Sequence, residues 1–459
     1  TDTSVYDTTL RLTFPTVKGG EMNLRFNFYR EISQTPGGLS PAQFAADPNQ
    51  SQRSHDWFLG RRGSFDMRLN VPVSGELSSE TLFYLNFFER NWFIANGADS
   101  PAVTTNRQFL RDFFVVGFEP RVRFGKSVVG VKVHYEQQND VRRQGTAGVD
   151  TRSGSTDREA DLSTTAVAAY LETELNPTSG FTVIPGIRYE HLDQKRNVGL
   201  RGTVSGVGGR AETSELTWGL GLRSDFSGGA VYANVHRTFQ PPTFNEAVDP
   251  SAATDQDLDA ETGTNYEIGV RSEIGSRAYV DLAAFFIAFD NQIVDVGGTD
   301  QNAGETEHQG LEGSFVAEPL DDLLFDLNLT YLQTEAKTGA NIGKDLPMAP
   351  EIKLAWGASY ERALGGGQTA NIRLEGILTD EQFTDSANTI AEDVTGGAGQ
   401  LESYVVWNLK AQYDAASWKA FAGINNLLDE EYRERRQSFF GGIIPGVTQN
   451  FYGGVSLLF

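Results

Sequence analysis

Read in steps of two, the chain separates into apolar and polar positions over much of its length. Met22, Leu24, Phe26 and Phe28 alternate with Asn23, Arg25, Asn27 and Tyr29. Leu323, Phe325, Leu327, Leu329 and Tyr331 alternate with Asp326, Asn328 and Thr330. The rhythm returns in Ile352, Leu354, Trp356, Ala358 and Tyr360 against Lys353, Gly357, Ser359 and Glu361. It returns again in Val405, Trp407, Leu409, Ala411 and Tyr413 against Asn408, Lys410 and Gln412. Successive side chains of a strand point to opposite faces, so these segments are strands with one apolar and one polar face. Arg25, Lys353, Arg373 and Lys410 recur on the second face, which is therefore wet. A sandwich would bury the apolar face against a second sheet, with strands of about 5–6 residues. Many segments here run for about 11 to 19 residues, enough to cross a bilayer while tilted and project beyond it. The pattern predicts an all-β fold, a transmembrane antiparallel β-barrel.

The connections are an independent signal. Short turns fall at Pro15–Gly20, Pro72–Ser79, Phe124–Ser127, Asn176–Gly180, Asp225–Gly229, Ile274–Arg277, Pro319–Asp322, Arg362–Gly367 and Asp414–Ser417. Longer polar loops fall between them, near Ser33–Ser54, Ile94–Asn106, Val141–Asp157, Asp193–Arg210, Gln240–Ala260, Asp290–Ala303, Ala336–Met348, Gln382–Gly399 and Arg433–Gly446. Strict alternation of short and long links is what periplasmic turns and extracellular loops produce. Eighteen links join nineteen strands. Bacterial single-chain barrels have even strand counts. The first link is short, which places Thr1 on the extracellular side. The expectation is an odd number of further strands upstream, most simply three. The last segment, Val447–Phe459, alternates and ends on an aromatic, like the C-terminal signature of bacterial outer-membrane proteins.

Composition narrows the alternatives. The longest apolar run, Leu282–Phe289, is eight residues, far below the ~20 of a membrane-spanning helix. The chain has no Cys, which excludes thiol catalysis and Cys-ligated zinc. A net charge of −23 argues against a nucleic-acid partner.

Several segments resemble TonB-dependent outer-membrane receptors. They are Phe239-Gln240-Pro241-Pro242-Thr243-Phe244-Asn245-Glu246, Asn265-Tyr266-Glu267-Ile268-Gly269-Val270-Arg271 and Gly310-Leu311-Glu312-Gly313. Further on come Pro347-Met348-Ala349-Pro350 and Gly423-Ile424-Asn425-Asn426-Leu427-Leu428-Asp429-Glu430-Glu431-Tyr432. The resemblance implies a 22-stranded barrel, of which residues 1–459 hold about nineteen strands. It also implies an upstream plug that carries the segment recruiting TonB. Within the family, Thr35-Pro36-Gly37-Gly38-Leu39-Ser40, Gly60-Arg61-Arg62, Gly117-Phe118-Glu119-Pro120-Arg121 and Phe383-Thr384-Asp385-Ser386-Ala387-Asn388-Thr389 resemble the ferric dicitrate receptors.

That likeness implies an anionic ferric chelate as the transported ligand, with TonB and outer-membrane lipid and lipopolysaccharide as partners. It also implies a monomer in the outer membrane of a Gram-negative bacterium, with no cofactor and no enzymatic activity. A chelate anion needs fixed cations, and the planar guanidinium binds carboxylates through a two-pronged fork. Screening beyond about 8 Å lets a local arginine cluster outweigh the global negative charge. By sequence context the resemblance carries ligand-binding roles onto Arg90, Arg107 and Arg158, all on the loop side. The family's uncharged contacts do not carry over: Ile293-Val294-Asp295-Val296-Gly297-Gly298 and Ser438-Phe439-Phe440-Gly441-Gly442 lack the matching residues. A passive porin or scaffold barrel and a haem receptor are the alternatives. No His lies between Phe239 and Leu258 to serve haem. His55, His134, His191, His236 and His308 show no metal-ligand spacing. Asp255-Gln256-Asp257-Leu258-Asp259 lacks the Gly and terminal Glu of a calcium loop. No Ser-centred motif accompanies His236 or His308, which disfavours a barrel hydrolase. Trp57, Trp92, Trp218, Trp356, Trp407 and Trp418 are expected in interfacial aromatic girdles.

Overall fold

The computed structural model describes residues 2–95, 105–146, 154–249, 255–295, 300–437 and 442–457. Expectations placed on Thr1, on parts of five long loops including Ser438-Phe439-Phe440-Gly441, and on the terminal Phe459 lie outside the described residues. One antiparallel sheet contains twenty strand segments. Leu175–Thr178 follows Ser155–Thr173 after one residue, and both pair with Phe181–Arg201. The two are one interrupted strand, so the sheet has nineteen spanning strands, the number that the alternation predicts.

All nine predicted turns are present. Gly125–Lys126 joins Thr105–Phe124 to Ser127–Thr146, and Gly125 takes φ 56°, a left-handed conformation that costs glycine little. Three predicted loops are largely strand instead. Phe181–Arg201 and Val207–Phe226 leave only residues 202–206 of the expected Asp193–Arg210 loop. Val141–Asp157 and Asp290–Ala303 are likewise invaded, by strands reaching Thr146 and Asp295 and resuming at Ser155 and Asp300. Above the lipid both faces meet water, so polarity no longer marks the end of a strand. Charge pairs hold these extensions: Arg142 donates to Asp157 at 2.9 Å and Arg210 to Asp193 at 2.6 Å.

The two faces differ as the alternation requires. Phe83, Leu85 and Phe87 share one face of Leu77–Ala95 and are paired with Phe118, Val116 and Phe114. Ile187, Tyr189, Trp218 and Leu220 continue this exposed apolar belt. Toward the loops the same face becomes charged, at Glu89 and Asp112 in one hairpin and at Asp193 and Glu212 in another. The opposite face lines the lumen with ion pairs such as Arg373–Asp326 at 2.5 Å and Arg121–Glu80 at 2.5 Å. Aromatic rings there fold over glycines directly across the ladder. Tyr84 covers Gly117, and Tyr170 covers Gly130.

Among the described residues Thr3–Pro15 pairs only with Glu21–Gln34, and Asn450–Leu457 pairs only with Trp418–Asn425. These two free edges run in the same direction, because an odd number of antiparallel strands separates them.

Candidate functional site

The lumen wall near the loop side gathers arginines along one rung. Gly60, Arg90, Arg111, Asp140 and Ala160 are successive cross-strand partners over five strands. The two-residue turn at Gly125–Lys126 fixes Arg111 opposite Asp140. The Asp140 carboxylate is buried, at 1% exposure, and receives two guanidiniums. Arg111 Nε donates to Oδ1 at 3.1 Å, and Arg158 Nη2 donates to Oδ2. Arg90, directly opposite Arg111, makes no hydrogen bond or ion pair among the described residues. Like charges face to face across a ladder repel. Two guanidiniums therefore share one carboxylate with a third, Arg90, unpaired beside them, and the Arg158 Nε is buried without a hydrogen-bond partner. An anion entering here would meet positive charge that the protein leaves uncompensated.

A fourth arginine bounds the cluster. Arg196, on the lumen face of Phe181–Arg201, is 1% exposed. It donates to Phe244 O at 3.1 Å, Val248 O at 2.9 Å and Asn245 Oδ1 at 2.8 Å. Gln194 donates to Pro242 O at 3.1 Å, so the Phe239–Glu246 motif is folded inward against the wall. There Phe244–Ala247 forms one helical turn with a Thr243/Glu246 capping box. Ala247 and Val248 pack on Val198 and Ala211. Desolvation, then Arg158 and Arg201, push the Arg196 pKa down to about 10, so it stays charged at neutral pH.

Three loops form a lobe beside the mouth. The helix Pro41–Ala46 starts at a Ser40/Gln43 capping box and buries Phe44 against Leu39 and Ile443. Arg433 lies 5.0 Å over the Phe44 ring. Arg436 binds Glu392 at 2.7 Å and Gly396 O at 3.2 Å, tying 390–400 to 433–446. A cavity of about 530 Å³ lies between this lobe and the wall, lined by Pro36, Arg53, Trp92 and Arg435 among others. Another of about 400 Å³ is lined by Glu307, Glu335, Glu351 and Asp380, carboxylates that would repel the anion the arginines attract.

Of the arginines anticipated from sequence, Arg90 and Arg158 meet around Asp140, whereas Arg107 stands apart. It shares a face with Arg111 but lies four residues, about 13 Å, nearer the loops, exposed and without a hydrogen bond or ion pair among the described residues. Arg111, Asp140 and Arg196 were not anticipated. Counting outward from Gly125–Lys126 pairs Arg111 with Asp140, a signal the sequence does contain. Arg196 is revealed only by the inward fold of residues 241–248. Four histidines have local partners, such as Tyr84 at 2.7 Å from His134 and Ser214 at 2.8 Å from His191. Among the described residues no group of three His, Cys, Asp or Glu could hold a metal ion. Trp218, Trp356, Trp407 and Trp418 lie on the outward face, as girdle residues should, but two others depart from that expectation. Trp92 has lumen parity and lines the cavity, drawn there by the loop lobe. Trp57 stacks on Phe93 at 4.0 Å above the apolar belt.

Comparison with known proteins places these features. The ferric enterobactin receptor PirA of Pseudomonas aeruginosa is 24% identical over 340 residues, 68% of this chain and 44% of the relative. An uncharacterized TonB-dependent receptor of Haemophilus influenzae is 26% identical over 221 residues, 45% of this chain and 60% of the relative. The chain thus spans about half the length of these curated relatives. The ferric citrate transporter FecA in its unliganded form superposes with a TM-score of 0.84 at 24% identity, covering 99% of this chain and 70% of that one. The siderophore receptor PiuA from Acinetobacter baumannii gives 0.80 at 13% identity, covering 99% and 74%. At such identities these likenesses show the fold alone. The family model for the TonB dependent receptor-like β-barrel matches residues 2–427, and the chain belongs to that family of outer-membrane receptors.

Proposed function

We propose that this protein receives an anionic ferric chelate of the ferric citrate kind at its extracellular mouth. Import across the outer membrane then draws on energy supplied through TonB. The observation that carries the reading is the set of Arg90, Arg111 and Arg158 around a single buried carboxylate, Asp140. Chelate carboxylates present planar oxygen pairs that match guanidinium forks, and charge-assisted bonds of this kind are worth about 1.5–3 kcal/mol each. Arg107, nearer the loops, offers a first contact to an incoming anion, and Arg196 keeps the 241–248 segment out of its path. Binding requires no bond-making: the ligand replaces water at the guanidiniums, and the ion pairs to Asp140 hold two of them in place.

The remaining strands and plug belong to the same proposal. The free edges at Thr3–Pro15 and Asn450–Leu457 run parallel, so an antiparallel seam between them takes an odd number of strands, three in a 22-stranded barrel. The plug, through which TonB would act, would complete the ligand site from below. The test is a titration of the full-length receptor with ferric citrate, a ferric hydroxamate and haem. Saturable binding of ferric citrate well above the neutral hydroxamate supports the proposal. Equal binding of all three, or preference for haem, removes it.

A further inference from the structure

The acidic cavity has no part in the chelate site. Its walls come from the loop ends of four neighbouring strands, where Glu307 on Asp300–Leu320 stands directly opposite Glu335 on Leu323–Ala336. Glu351 is held beside them by its carbonyl, which accepts from Leu332 N at 2.8 Å. Asp380 is held by its N–H, which donates to Ile352 O at 3.0 Å. Facing carboxylates repel, and Lys337 answers one pair: its Nζ lies 2.8 Å from both Glu307 and Glu335. The other carboxylates lining the cavity, Asp345, Glu351, Asp380 and Glu381, make no ion pair among the described residues. Lys344, next to Asp345 in the chain, donates to Ala387 O instead.

A second, independent observation points to a ligand. Gln382 lines the same cavity, is only 8% exposed, and its side-chain amide has no hydrogen-bond partner among the described residues. A buried amide without a partner is destabilising, and a ligand that hydrogen-bonds to it removes that cost. The space is about 400 Å³, far more than one bare ion fills. Among the described residues no three carboxylates are grouped to hold a metal. Leu332, Ala349 and Phe383 add apolar surface to the same lining. Ammonium groups joined by methylenes match this mixture. Carboxylates and the Gln382 carbonyl accept N–H, as Glu307 and Glu335 hold the Lys337 ammonium, while the methylenes cover the apolar part. We propose that the cavity binds a linear aliphatic polyamine. The inference stands apart from the chelate reading, since none of these residues belongs to the arginine cluster.

The test is calorimetric titration of the full-length receptor with spermidine, and with magnesium chloride at matched ionic strength. Wild type should bind spermidine saturably, and magnesium should not compete for the site. Glu351→Gln/Asp380→Asn should weaken binding about tenfold, and Gln382→Leu about fivefold. Asp112→Asn/Asp161→Asn removes the same amount of charge from the outward wall elsewhere and should keep wild-type affinity, which separates a site from net charge. Each variant should keep the wild-type melting transition by circular dichroism. Unchanged spermidine binding in Glu351→Gln/Asp380→Asn or in Gln382→Leu, an equal loss in Asp112→Asn/Asp161→Asn, or competition by magnesium would each overturn the site.

Discussion

At the scale of single residues, the mouth leaves arginine charge only partly paired. Asp140 satisfies Arg111 and Arg158 in part, Arg90 not at all by direct contact, and this imbalance is what an anion would exploit. Removing Asp140 exposes its structural share. Asp140→Asn should lower the unfolding free energy by about 1–3 kcal/mol in denaturant titrations, because two mostly buried guanidiniums lose a charged acceptor. Arg90→Ala and Arg158→Ala should each weaken ferric citrate binding about tenfold by calorimetry. Arg107→Ala should weaken it only about two- to threefold, because an exposed charge is solvent-screened. An Arg107 effect exceeding that of Arg90 would move the binding centre outward. Arg90 and Arg158 are singled out through the family resemblance, and the strand register places both beside Asp140. Arg111 and Asp140 needed the strand register, which the sequence shows only where a two-residue turn pins it.

At the scale of elements, the strands are specified by alternation and most turns by their glycines, with an Asp pair at Asp321–Asp322, which is why all nineteen strands could be read directly. The loop boundaries could not. Arg142, Asp157, Asp193 and Arg210 look like loop residues by polarity, yet they pair across extended strands above the membrane. Close packing across the ladder makes one glycine sensitive: a Cβ at Gly117 would lie 2.0 Å from the Tyr84 ring. Gly117→Val should destabilise the barrel by about 1–3 kcal/mol through overpacking, measured as a lowered denaturation midpoint. The inward Phe239–Glu246 segment depends instead on Arg196. Arg196→Met should raise amide hydrogen exchange across residues 242–248 while leaving exchange in Val207–Phe226 unchanged; protection equal to wild type would mean the apolar contacts of Ala247 and Val248 suffice.

At the scale of the whole molecule, one sheet separates two solvents. The belt that includes Leu220 and Ile187 faces lipid, and the face that includes Arg373 and Asp326 faces water. Substitutions should therefore follow face rather than position along the chain. Leu220→Arg should cost about 2–4 kcal/mol in bilayer refolding assays, the range for a charge near the midplane, whereas Gly219→Arg on the neighbouring lumen position should cost under half as much. Fold class was the most legible property because alternation repeats nineteen times, whereas the arginine cluster was the least because it is assembled from four side chains on separate strands. The most direct test of the central claim is equilibrium binding of ferric citrate to the full-length receptor at 50 mM and 500 mM salt. Wild type is compared with Arg90→Ala/Arg111→Ala/Arg158→Ala. The account predicts saturable wild-type binding that weakens with salt and is lost in the triple variant, while the variant still folds as a barrel. Binding of equal affinity in both proteins, or indifferent to salt, would contradict it.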